Sequence, residues 1–437
     1  MRALATLLIG AWFATSACAP APHPDPNLLL ITVDTLRADH LGCYGYRRKT
    51  SPRIDALARQ GARFETAITA APVTLTSHAS ILTSTYPTAH GLLGNQRYLI
   101  DGERLTTLAE ILQPRGWRTG AFVSASILSH RFGLADGFDI YEDSFDLEAD
   151  RAERRGAETV DLALAWLRRA KGGPFFLWLH LFDPHGVYDP PEPYRSMFLP
   201  QRAKPAERPP KRALYDGEIR YADTQIGRVL DQLDASGMAP RTLVVLTSDH
   251  GQGLGQHGIA GHIRSLYDEV ARVPLIVRLP GKVPAGRVVQ RQVRTIDILP
   301  TALELIGLAP PDGIHGRSLV PLLEGRDRAE PEEGAYMQTW VYALEQRIRG
   351  GETGLYHPRG LRTSRWKLID DRMRGKSQLY DLRSDPRELR DLADSEPQVV
   401  SELEERLARF GGAAESLAPE PMTESERAKL RALGYVN

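Results

Sequence analysis

Asp34, Asp249 and His250 are two carboxylates and an imidazole, each standing just past the end of a strongly apolar run. Leu28-Leu29-Leu30-Ile31-Thr32-Val33 ends in Asp34, and Leu243-Val244-Val245-Leu246 leads into Ser248-Asp249-His250-Gly251. A third run, Phe175 to Phe182, ends in Asp183-Pro184-His185. Short apolar, partly β-branched runs bounded by turn residues read as buried strands of a parallel sheet. Open α/β sheets hold their ligands just beyond the carboxyl ends of the strands, so the three ends should converge on one crevice. Asp, Asp and His form a donor set suited to Zn²⁺ or Mn²⁺ more than to Ca²⁺ or Mg²⁺. An adjacent Asp-His pair alone is common in capping turns. Behind a buried strand and ahead of Gly251, Gly253 and Gly255, it reads as part of a metal site. A nucleophile is to be sought in Ala71 to Thr83, where Thr74, Thr76 and Ser77 precede small residues and Ile81-Leu82. A helix N-terminus there would offer free N–H groups to an anion, although the same hydroxyls would also serve as ordinary helix caps.

The elements that must position these groups alternate. After the Leu28–Val33 strand and the turn-rich Leu41 to Tyr46, a helix begins with Ser51 at the N-cap and Pro52 at its first position, and stops at Gly61. Leu105 to Leu112 and Val160 to Leu167 have helical spacing, and Gly120–Val123 reads as a short strand. Ala222 to Leu233 reads as a helix ahead of the Leu243–Leu246 strand, followed by a strand at Val273–Val277 and a helix over Ile296 to Ile306. The expectation is a doubly wound, mostly parallel α/β sheet flanked by helices. Pro184 to Lys211, rich in Pro and Arg and without periodicity, is too long for an ordinary connector and reads as a substrate-covering loop. Past about Gly325 the texture shifts to short mixed segments and a helix carrying Val399, Val400, Leu403, Leu407 and Phe410, which predicts a smaller α+β subdomain.

The chain of 437 residues carries 55 Lys+Arg against 55 Asp+Glu, so it has no electrostatic footprint for nucleic acid. An acidic substrate would have to be held by local charge. Arg2, an apolar Ala3 to Phe13, and Ala14-Thr15-Ser16-Ala17 before Cys18 have the form of a secretory signal, too short for a membrane span. Small residues running into a cysteine resemble a lipoprotein signal, in which Cys18 becomes the lipidated N-terminus; ordinary cleavage near Ala17 or Ala19 is the alternative. Export to the periplasm or outer surface follows, with the membrane reached only through a lipid anchor. The expected division is 1–18 signal, 19–26 extended tether, 27–325 catalytic domain and 326–437 C-terminal subdomain. With Cys18 lipidated or removed only Cys43 remains, which leaves no internal disulfide. Nothing in the sequence indicates an oligomeric state.

Taken in order, Asp34-Thr35-Leu36-Arg37 with Leu41-Gly42-Cys43-Tyr44-Gly45, Thr74 to Pro87, Asp183-Pro184-His185, Ser248-Asp249-His250-Gly251 and Arg272 to Val277 resemble the sulfatase family of the alkaline phosphatase superfamily. Asp297 to Thr301 with Gly316-Arg317-Ser318-Leu319, and Leu379-Tyr380-Asp381-Leu382 before Asp385-Pro386, extend the resemblance. It implies an alkaline-phosphatase-like fold and an ester hydrolase dependent on a divalent metal, acting on an anionic ester. The departures matter as much. Sulfatases of the common type carry a formylglycine-forming cysteine in Cys-x-Pro-x-Arg, and counting back from Tyr86-Pro87 places that cysteine at Thr74, the proline at Thr76 and the arginine at His78. The family's downstream Lys and His should fall near Val123-Ser124-Ala125-Ser126, where neither occurs, and the second Asp of its Asp-Asp pair is Thr35.

What remains resembles the superfamily's threonine-nucleophile members. The resemblance implies Thr74 as nucleophile and as a further ligand beside Asp34, Asp249 and His250, since an unactivated hydroxyl is a poor nucleophile. It implies that His185 and His262 assist the leaving group or meet the transferred group, and that His257 and Asp183 line the ester pocket. Asp183 with two of these histidines could instead hold a second metal. His78 would bring a hydrogen bond or charge near the nucleophile in place of the arginine, or pack the helix. His180, inside an apolar strand, reads as a satisfied core histidine. Phosphate esters suit this chemistry better than sulfate, because a sulfated threonine carries less charge and lacks formylglycine's elimination route. Two rivals accompany this reading: a transferase passing a phospho-head-group to an envelope glycan or lipid, and an inactive binding protein.

Overall fold

In the computed structural model the described residues are 25–92, 94, 105–145, 152–170, 172–200, 209–326, 333–339, 357–371 and 375–410. The expected signal, Cys18 and most of the tether lie outside them, as do 201–208 of the expected covering loop.

Strands β1 (Asn27–Val33), β2 (Ala62–Ile68), β3 (Arg118–Phe122), β4 (Ile140–Glu142), β5 (Phe175–Leu181) and β6 (Thr242–Thr247) belong to the central sheet. A small hairpin, β7 (Gly253–Leu254) with β8 (Ala260–Gly261), stands apart from it. Strands β9 (Arg272–Arg278), β10 (Arg287–Val289) and β11 (Val293–Arg294) complete the sheet. Its order is β10-β2-β9-β6-β1-β5-β3-β4, with β11 also on β2, and β9 alone runs antiparallel to its neighbours. The expected doubly wound, mostly parallel sheet is present.

Alternation across β1 explains why it sits at the centre. Leu28 and Leu30 join Phe176, Trp178, Leu243 and Val245 on one face, under the helices Thr74–Thr83 and Ile298–Ile306. Leu29, Ile31 and Val33 join Leu177, Leu179, Val244 and Leu246 on the other, under Pro52–Gln60, Gly156–Arg169 and Lys211–Ala235. A strand apolar on both faces can only be buried on both. The last helix is twice the length expected from Ala222 to Leu233; its first turns read as polar but bury Tyr215, Asp216 and Glu218.

Register then places the site. Val33 pairs with Leu181 and Thr32 with Thr247, so β6, β1 and β5 end side by side. Asp34 donates its N–H to the Leu181 carbonyl at 2.9 Å as it leaves the sheet. Beyond Gly325, β12 (Ala335–Gln338), β13 (Arg359–Arg362), β14 (Trp366–Asp371) and β15 (Lys376–Asp381) form an antiparallel sheet. The helix Pro397–Ala408 covers it through Leu403 and Leu407. No helix among the described residues is long and apolar enough to cross a membrane.

Candidate metal and ester site

Three turns bring the predicted ligands together. Asp34, Asp249 and His250 are wholly buried, and one ligand atom from each lies within 4.8 Å of the others. Thr35 follows Asp34 with φ +54°, a left-handed turn that a β-branched residue adopts only at a cost. That turn aims the Thr35 N–H at Asp249 Oδ1, 3.1 Å away. The Ser248 hydroxyl sits 2.6 Å from both the Val33 and His250 carbonyls and accepts the Leu36 N–H at 2.9 Å, which ties the end of β1 to the end of β6.

The carboxylates retain unused capacity. Asp249 Oδ1 accepts from the Thr35 and His250 N–H groups, whereas Asp249 Oδ2 and Asp34 Oδ1 are buried with no hydrogen-bond partner. Burial, and then the neighbouring Asp249, push the Asp34 carboxyl well above the usual carboxylate range; burial also raises Asp249. Two buried acids with orphaned oxygens are costly unless a cation joins them. The donor set therefore fits a divalent metal. His250 completes it: its Nδ1–H faces the Gly251 carbonyl at 3.1 Å, leaving the Nε2 lone pair toward the cluster. Burial lowers its pKa to about 3, so the ring is neutral and able to ligate at neutral pH.

Thr74 opens the helix Thr74–Thr83 and is wholly buried. Its Oγ1 lies 3.3 Å from Asp34 Oδ2 and 3.4 Å from His250 Nε2. Ser77 anchors the same turn by donating to the Asp249 carbonyl at 2.8 Å. His78 lies one turn on, with Nδ1 2.7 Å from the Thr74 carbonyl and Nε2 3.0 Å from Thr32 Oγ1. Burial lowers its pKa, and the ring holds the backbone of the turn at Thr74.

His262 stacks on His250 at 4.1 Å, and His185 meets His262 edge-on at 5.6 Å. The Nδ1 atoms lie 2.7 Å from the Pro72 carbonyl (His262) and the Gly186 carbonyl (His185), so both rings turn Nε2 away from these backbone groups. The three imidazoles thus extend in a row from the acid cluster.

Other expected site residues lie elsewhere in the structure. Asp183 Oδ2 accepts the Gly156 N–H at 2.7 Å, and its carboxyl faces Glu218. Asp183 is not part of the group formed by Asp34, Asp249 and His250. Among the described residues no second acid–histidine group forms. His257 is also elsewhere: its Nδ1 is 2.6 Å from Glu269 Oε1, and Nε2 is 3.1 Å from the Arg387 and Glu388 carbonyls. Arg37 braces the turn through Asp39 and the Gln252 carbonyl. His180 is not a satisfied core histidine. Its Nε2 is buried without a hydrogen-bond partner, 3.7 Å from Asp34 Oδ2. Its one sequence signal was a titratable ring alone in an otherwise apolar strand.

Acids and imidazoles gathered at adjacent strand ends of a wound α/β sheet place the candidate site where such folds hold their ligands. Residues 26–308 match the sulfatase family model, and residues 255–411 match the model described as N-sulphoglucosamine sulphohydrolase, C-terminal. The chain belongs to the sulfatase family, and it is an ester hydrolase. It is 27% identical to an arylsulfatase of Clostridium perfringens (strain 13 / Type A), over 85% of this chain and 91% of that one. It is 28% identical to the multifunctional alkaline phosphatase superfamily protein PehA of Trinickia caryophylli, over 69% and 77%. The fold is similar to that of the phosphonate monoester hydrolase of Agrobacterium radiobacter, with TM-score 0.73, 24% identity, and coverage of 88% of this chain and 95% of that one.

Proposed function

We propose that the protein is a metal-dependent hydrolase of anionic esters in which Thr74 is the nucleophile, with phosphate diesters favoured over sulfate esters. The observation that carries this reading is the placement of Thr74 Oγ1 beside Asp34 Oδ2 and His250 Nε2, at the first turn of a helix. A divalent cation held by Asp34, Asp249, His250 and Thr74, Zn²⁺ or Mn²⁺ by donor type, would supply Lewis-acid activation and neutralise charge on the attacked group.

The chain's own residues then divide the work. The helix N-terminus directs free N–H groups at the anion. Thr74 Oγ gives up its hydroxyl proton to water and forms a bond to phosphorus (or sulfur). The bond to the ester oxygen breaks and that oxygen leaves with a proton. Water then attacks the same centre and releases Thr74 Oγ, which regains a proton. Burial holds His185 neutral, with a pKa of about 3, and holds His262 well below its usual range. An anionic ester placed against them raises both, which allows either to carry the proton that the leaving oxygen takes. The second family relative named above is described as multifunctional, which accords with a site built for charge more than for one central atom.

The test compares bis-nitrophenyl phosphate and nitrophenyl sulfate on metal-stripped protein, the same protein reloaded with Mn²⁺ or Zn²⁺, and Thr74→Ala. Diester turnover should require metal and fall by at least about 10³-fold in the variant. Full turnover by the metal-stripped protein, or by Thr74→Ala, would refute the reading. Export and a lipid anchor at Cys18 belong to the same proposal, and mass spectrometry of the mature N-terminus tests them.

A further inference from the structure

His180 is the penultimate residue of β5, next to the strand's carboxyl end, and is wholly buried. Its Nδ1 accepts the Ser124 N–H at 3.3 Å. Ser124 is itself held, with Oγ 2.8 Å from the His180 carbonyl and 2.7 Å from Thr159 Oγ1. With Nδ1 as acceptor, the ring proton must sit on Nε2. That N–H has no hydrogen-bond partner and faces Asp34 Oδ2 at 3.7 Å, just beyond hydrogen-bond length. The ring is fixed edge-on against His78, 5.0 Å between centroids. A histidine kept only for packing would be paired, or would be apolar like Leu177, Leu179 and Leu181 in the same strand.

We propose that His180 is a positioning residue for the cation site, donating Nε2–H to Asp34 so that this carboxylate stays turned toward the ion. Direct ligation by His180 is disfavoured, because moving its proton to Nδ1 would set it against the Ser124 N–H. Outer groups that hold a metal's carboxylate or imidazole ligands commonly govern affinity. The inference rests on the reading of Asp34 as a metal ligand.

The experiment titrates the metal-free full chain with Mn²⁺ by calorimetry and compares wild type, His180→Asn and His180→Gln. Asn places its amide oxygen where Nδ1 stood, keeping the Ser124 contact, and deletes the donor at Nε2. Gln carries an amide N–H to the Nε2 position. Mn²⁺ binding should weaken about 10- to 100-fold in His180→Asn and largely recover in His180→Gln. The metal-free Tm of His180→Asn should stay at the wild-type value, which a merely structural role would not allow. Wild-type affinity in His180→Asn would overturn the proposal. Equal weakening in both variants, or a fall in metal-free Tm matching the loss of affinity, would overturn it as well. A wild-type chain that binds no Mn²⁺ would remove the metal role of Asp34 itself, a failure of the functional reading distinct from the others.

Discussion

Thr35 turns the chain out of the site with φ +54° and keeps its Oγ1 buried without a hydrogen-bond partner. Left-handed backbone costs an L-residue roughly 1–2 kcal/mol, and a β-branched side chain is among the least tolerant of it. What the strain secures is visible: the Thr35 N–H reaches Asp249 Oδ1, and the Thr35 carbonyl accepts the Tyr215 hydroxyl at 2.7 Å. Asn enters the same region readily and is close to Thr in volume, so Thr35→Asn should raise unfolding stability by about 1 kcal/mol. Denaturant unfolding of the metal-free protein checks this, and a loss of stability would show that the Thr35 side chain carries a contact that outweighs the backbone. The common sulfatase pattern has a second carboxylate at this position. Its absence leaves the site with the two acids Asp34 and Asp249, a smaller negative charge that suits a transferred group bringing charge of its own.

Among elements, the site depends on β1 and β6 ending at the same level, and Ser248 joins those ends. Its hydroxyl is within 2.9 Å of three backbone groups: the Val33 and His250 carbonyls and the Leu36 N–H. Ser248→Ala leaves buried backbone groups without their partner, so it should cost about 1–3 kcal/mol and weaken Mn²⁺ binding, because Asp34 and Asp249 then move independently. Calorimetric titration together with thermal unfolding measures both effects, and full metal affinity in a destabilised variant would break the proposed link. Much of this arrangement was legible in the chain. The apolar runs ending in Asp34, Asp183 and Ser248 marked the strands, because burial on both faces demands continuous hydrophobicity. Their parallel order then made adjacent ends inevitable. What hydropathy cannot encode is the direction of a side chain after the last strand residue. Asp183 stands where a ligand should be, yet the turn after β5 directs it to the Gly156 N–H. His180 faces Asp34 because of which strand lies beside β5, a neighbour relation with no signature inside either run. His257 was misplaced for a related reason: a motif spacing gives distance along the chain, whereas its partners Arg387 and Glu388 come from far beyond it.

Across the whole molecule, the segment that carries His262 is fastened to the C-terminal sheet. Lys367 of β14 is wholly buried, 2.8 Å from Asp268 Oδ1 and 2.7 Å from Glu388 Oε1, and Arg362 of β13 grips Asp268 at 2.9 and 2.8 Å. His257 adds a second fastening from the β7–β8 hairpin, stacked on Tyr267 at 3.8 Å between ring centres. Its two nitrogens face the Glu269 carboxylate and two backbone carbonyls, all acceptors, so the geometry calls for the doubly protonated ring. Burial works against that charge, but the hydrogen bond and charge of Glu269, with help from Glu388, outweigh it and raise the pKa. A histidine raised on folding stabilises fully below its unfolded pKa of about 6.5, and the contribution fades as pH climbs through the higher folded value. Glu388 also titrates out of its usual range, because burial raises it. The comparison must therefore be a difference between wild type and His257→Gln, in which that shared background largely cancels. The Tm advantage of wild type should be greatest near about pH 6 and shrink by about pH 8.5. A constant difference across that span would mean that the imidazole is neutral in the folded protein and that one of its two contacts is not a hydrogen bond.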